Sequence, residues 1–179
     1  MTPDAARTPV RRLDPSTLHP YLDLHLVGAT NGVRLFDAAH TSWAGTPYEE
    51  EFARLRMNVR EERSTLERMI RALGHRPSLL KQTLARGLAL VSAHNPLNPR
   101  RRTASAGAQL ELEALLSLLK VKECMWDTLL ALPAGVLTSE GAQALDRAAL
   151  EQLRTDARAQ QETVAGVMTA TAADRFLQR

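Results

Sequence analysis

Apolar residues recur in this chain at intervals of three and four, with no strand-length stretch of alternation. That spacing collects them on one face of a helix, because about 3.6 residues complete a turn. From Leu22 they run through Leu26, Ala29, Val33 and Phe36; from Leu55 through Val59, Leu66, Met69 and Leu73. Such faces can be buried only against other helices, so the pattern points to an all-α fold. Aromatic residues make up only 4% of the 179 residues, so Leu, Ala, Val and Met have to build the core. The length suits one domain with a core of its own.

Cap and breaker residues set the expected boundaries. Residues 1–13 have no period and read as a flexible N-terminal arm; residues 14–179 form the single domain. Asp14 before Pro15 is a helix start, with Pro20 as a later alternative, and this first helix extends to His40. A turn at 41–47 leads into a second helix from Pro47 to Leu73. Glu49, Glu50 and Glu51 lie in its first turn, where the helix dipole favours acids, and Gly74 and Pro77 stop it. A third, shorter helix covers Ser78–His94. After a loop at 95–105, Ser105 caps a fourth helix to Leu132, which Pro133-Ala134-Gly135 ends. Thr138 or Ser139 caps a fifth over 139–172.

The long helices measure about 35–50 Å at roughly 1.5 Å per residue. Short connections make the first and second helices, and the fourth and fifth, antiparallel hairpins. The long piece between the hairpins carries the helix at 78–94. The expected architecture is therefore an antiparallel four-helix bundle with an additional crossover helix.

One position breaks the apolar stripe of the second helix. Glu62 lies three residues after Val59 and four before Leu66, where the pattern asks for an apolar side chain. On the fourth helix, Glu111 and Lys122 lie near the centre of an apolar side formed by Leu110, Leu115, Leu118, Leu119, Met125, Trp126 and Leu129. On the fifth, the stripe Ala142, Leu145, Ala149, Leu153, Val164, Val167 takes in Asp156 and Gln160. His25 sits at the edge of the first stripe. Counting back from the first hairpin turn places His25 near the depth of Glu62; a fourth helix running parallel to the second from residue 106 brings Lys122 to the same level; on the second hairpin Glu111 falls near Gln160, with Asp156 about one turn away. A carboxylate at that depth is open to solvent at a helix edge, paired, or bound to metal. The reading adopted is a buried ion pair, Glu62 with Lys122, that fixes register in a Leu-rich core.

The segments "EERSTLERMIRALG", "LELEALL" and "KVKECMW", together with the expected topology, resemble the ferritin-like superfamily and, within it, a bacterial family of ferritin-like helical-bundle proteins. The similarity spans about residues 18–132. Metal-binding members of the superfamily place a Glu on each of two helices and a Glu-x-x-His on each of the other two. Here the residue three after Glu62 is Thr65, and the chain has no Glu-x-x-His; Asp37-x-x-His40 falls at a helix end. The resemblance therefore implies a non-enzymatic bundle with a degenerate metal site and no cofactor, acting as an interaction or stress-related protein. The alternative it implies is a di-metal carboxylate protein, with iron or manganese held by His25, Glu62, Glu111, Asp156 and Gln160 and a role in metal oxidation or peroxide handling.

The other signals are weaker. The net charge of +3 comes from 23 basic and 20 acidic residues, too even a balance to indicate a polyanionic partner. "PRRR" at 99–102 reads as a solvated loop, and without interleaved aromatics it does not suggest nucleic acid. The single Cys124 excludes an intrachain disulfide framework and fits a reducing compartment. With no apolar run at the N-terminus and no membrane span, the expected location is cytoplasmic. The width of the apolar side on the fourth helix suggests a homodimer. No nucleophile triad or metalloprotease motif accompanies these features.

Overall fold

The computed structural model describes residues 12–77, 104–137 and 145–177, and every regular element among them is helical. The helix expected at 78–94, its crossover role, Arg100–Arg102 and the caps at Thr138 or Ser139 lie outside the described residues.

Helix α1 spans Pro15–Ser42, with the Asp14 side chain accepting from the Ser16 amide as N-cap. It continues through Pro20, because the carbonyl that Pro20 leaves without a donor belongs to the exposed first turn. Helix α2 spans Glu49–Ala72. Its end is a Schellman motif: Gly74, at φ 78°, donates to Arg71 O, and the His75 amide donates to Ile70 O. Helix α3 spans Ala106–Leu130, capped by the Ser105 hydroxyl, which accepts from the Ala108 amide. A short turn, α4, at Ala134–Leu137 occupies the place expected only to terminate α3. Helix α5 spans Arg147–Ala170 with Asp146 as N-cap, later than the expected start, and α6 follows at Ala172–Phe176. Leu13, assigned to the arm by sequence, packs against the core.

Helix α1 packs along α2 and α3 along α5, while α1 also meets α3 and α2 meets α5. Polar edges fix the directions. Asp37, late in α1, binds Arg56 and Arg60, early in α2. Asp23, early in α1, binds His75 just beyond α2. On the other pair, Asp127 faces Arg154 and Glu123 faces Arg158. Both pairs are thus antiparallel, as the short connections required.

The core is in two apolar clusters. One gathers Leu22, Leu26, Leu66, Ile70, Trp126 and Leu129. The other gathers Phe36, Trp43, Phe52, Leu55, Leu115 and Val164. α2 and α3 give each cluster residues from the same end, so they run parallel. In α2, α3 and α5 the residues between the two clusters include Glu62, Lys122 and Gln160, and in α1 they include Gly32. The clusters therefore sandwich a polar layer to which three helices contribute side chains.

Two sequence expectations about faces change. Leu110, placed on the apolar side of α3, is exposed; Ala108 and Leu112 are the buried residues there. In the first half of α5 the buried residues are Leu150 and Ala157, one position on from Ala149 and Asp156. Leu145 precedes the helix, so helical phase cannot be carried from it into α5.

Candidate functional site

Glu62, Lys122 and Gln160 form a closed ring across α2, α3 and α5. The Lys122 ammonium donates to Glu62 Oε2 and, at 2.5 Å, to Gln160 Oε1. Gln160 Nε2 donates to Glu62 Oε1 at 2.6 Å. Both carboxylate oxygens are thus engaged, and the amide uses its carbonyl on the cation and its NH2 on the anion. The Glu62 side chain is 9% exposed and that of Lys122 16%. Burial, which disfavours the ammonium, holds the Lys122 pKa below the ordinary lysine value; the charge and hydrogen bond of Glu62 and the charge of Asp156 oppose this only in part.

The other residues singled out from sequence are not all brought to this ring. His25 lines the cleft beside it, packs edge-on against Tyr21 at 4.5 Å, and has its pKa lowered by burial, which keeps the imidazole neutral. Asp156 accepts from Gln152 on the α5 surface and reaches Lys122 only through its charge. Glu111 lies at the far end of α3, 3.5 Å from the Ser42 hydroxyl. Eleven residues separate it from Lys122, a rise of about 16 Å.

This donor set does not fit a divalent metal. Glu62 has both oxygens occupied, an ammonium stands against it, and Glu111 is too far along α3 to share an ion. Among the described residues no three His, Cys, Asp or Glu side chains gather where they could hold one.

A second buried carboxylate, Glu123, was not anticipated. It accepts from Lys120 at 2.7 Å, from Arg158 at 2.6 Å and from Gln161 at 2.9 Å. Those hydrogen bonds, the one from Lys120 foremost, hold its pKa down at about 2, because burial beneath long polar side chains desolvates it little. The spacing Lys120, Glu123, Asp127 on α3 against Arg154, Arg158, Gln161 on α5 marks two complementary helix edges and was the available signal. Cys124, on the same side of α3, is exposed.

Beside the ring, α1, α2 and α3 flank a partly open cavity of about 60 Å³. The wall on α1 is low, made by Gly28, Ala29 and Gly32. α2 contributes Val59, Glu62 and Leu66, and α3 contributes Leu118, Lys122 and Trp126. A Cβ built on Gly28 would meet nothing within 4 Å, and one on Gly32 would touch only Val59, at 3.9 Å.

Fold and site thus define an all-α protein with an ion-pair ring in its core and a small, mainly apolar cavity against it. No protein-family model, curated protein or solved structure matches the chain. No helix among the described residues is long and apolar enough to cross a membrane.

Proposed function

We propose that the chain is a ferritin-like antiparallel four-helix bundle with a crossover helix, in which an ion pair stands where metal-binding members of that superfamily keep a metal carboxylate. It acts without catalysis, as an interaction or stress-related protein. The observation that carries this reading is the engagement of both Glu62 carboxylate oxygens, by the Lys122 ammonium and the Gln160 amide, at the mid-depth of the core. The parallel run of α2 and α3 supports the crossover, because the chain leaves α2 at one end of the helices and enters α3 at the other. The homodimer expected from the wide apolar side of α3 belongs to the same reading, and Leu110 and Val121 on that helix are exposed.

Elemental analysis of untagged protein tests the core of the reading. The expected result is no stoichiometric iron or manganese after purification, and none taken up on incubation with Fe(II) or Mn(II). Tightly held, stoichiometric metal that is lost in Glu62→Gln overturns it. Sedimentation of the wild type against Val121→Lys tests the dimer.

A further inference from the structure

The cavity between α1, α2 and α3 has a mainly apolar lining with a few polar residues in it, Glu62, Lys122, Trp126 and His25 among them. At roughly 10–15 Å³ per water, its 60 Å³ holds about four to six waters, the bulk of a molecule with about as many heavy atoms. The space persists because α1 places glycine where a larger side chain would fit. A glycine inside a helix costs about 0.5–1 kcal/mol relative to alanine, and the open room around Gly28 shows that close packing does not require it.

Two of the polar side chains have a donor to spare. Trp126 lines the cavity and is 1% exposed, and its indole Nε1 is buried with no acceptor among the described residues. A buried donor left unpaired is unfavourable, and an acceptor brought by a guest removes that penalty. Lys122 has three N–H bonds and gives two of them to Glu62 and Gln160. Charge selects the guest further. Glu62 and Lys122 neutralise one another, and the Arg63 guanidinium at the rim is already bound to Glu67. An ion of either sign would lose its hydration without gaining an unpaired counter-charge.

We infer that this cavity binds a small, neutral, mainly apolar molecule carrying one hydrogen-bond-accepting oxygen, of the short-chain or small-ring alcohol or ketone class. The inference rests on the ring being structural, since a metal drawn to Glu62 would dismantle one wall of the cavity.

The test uses cyclopentanone, with cyclopentane as its oxygen-free counterpart, titrated into the full-length protein and followed by 1H–15N NMR. Cyclopentanone should shift the Trp126 indole N–H saturably and leave that of Trp43 in place. Trp43 Nε1 is an internal control: it too is buried and unpartnered among the described residues, but Trp43 does not line the cavity. Gly28→Leu fills the space and should fold at least as stably as wild type, while weakening cyclopentanone at least about tenfold, or 1.4 kcal/mol. Gly28→Met serves if the leucine variant does not fold. Trp126→Phe should reduce the preference for cyclopentanone over cyclopentane. The absence of a saturable shift, equal shifts at Trp43, or unchanged affinity in a folded Gly28 variant overturns the inference. Adding Mn(II) separates the two readings: displacement of cyclopentanone by bound metal sinks the structural ring, whereas no cyclopentanone binding in a chain that also takes up no metal sinks this inference alone.

Discussion

Removing Lys122 alone should damage the protein more than removing it together with Glu62. In Lys122→Met the carboxylate stays 9% exposed with only the Gln160 amide as donor. In Glu62→Leu an ammonium remains buried beside a neutral amide. Stranding one partner of a buried pair costs about 3–5 kcal/mol, whereas replacing both with apolar side chains is often close to neutral. The singles should therefore each lower the melting temperature by roughly 6–20 °C, at about 2–4 °C per kcal/mol for a chain of this size. The double variant strands only the buried Gln160 amide, so it should lie about 1–3 kcal/mol below wild type, although the singles sum to about 6–10 kcal/mol. Urea denaturation followed by far-UV circular dichroism, fitted as a double-mutant cycle, measures the difference. A double variant that loses the full sum would show that the two groups act independently, and the argument for a coupled core pair would fail.

Glu123 makes the protein acid-sensitive. Its folded pKa, about 2, lies below the ordinary 4.5, so its stabilisation is present above that value and is lost as pH falls from about 5 towards 2. The full shift corresponds to about 3 kcal/mol, but the partners Lys120 and Arg158 are more than half exposed, and screening brings the expectation to about 1–2 kcal/mol. Glu123→Gln should flatten the fall of urea stability over that pH range; a slope identical to wild type would count against the assignment. Gly74→Ala forces a side chain into φ 78° in open space, so the cost is backbone strain alone, about 1 kcal/mol, and Gly74→Asn should recover part of it in thermal melts. Asp37→Ala removes an acceptor shared by Arg56 and Arg60 at 2.7 Å. Because the group is about one-third exposed, the loss should be near 1 kcal/mol and should shrink in high salt.

Much of this arrangement is readable from residue order. A single charge on the stripe of α2 identified Glu62, and a helix running parallel to α2 from residue 106 brought Lys122 to its depth, because helix rise is uniform. Gln160 was found on the right face, but its role as an amide spanning anion and cation was not, since that depends on side-chain geometry. The slip in the first half of α5 arose because Leu145 lies outside the helix: a stripe extended through a helix cap loses its phase. Glu123 was hidden for a related reason. Lys122 and Glu123 are sequence neighbours about 100° apart around α3: Lys122 reaches in between α2 and α5, Glu123 meets the outer edge of α5, and a stripe centred on Glu111 and Lys122 leaves no place for the second.

The ring also has a consequence for the order of folding. Each hairpin can close on polar contacts of modest span, Asp37 with Arg60 at 23 residues and Glu123 with Arg158 at 35. The ring joins residues 60 and 98 apart and requires both hairpins to be docked before any of its bonds to Glu62 can form. Such long closures come late. The ring therefore behaves as a latch, adding little to the speed of assembly and acting chiefly on the rate at which the two hairpins part.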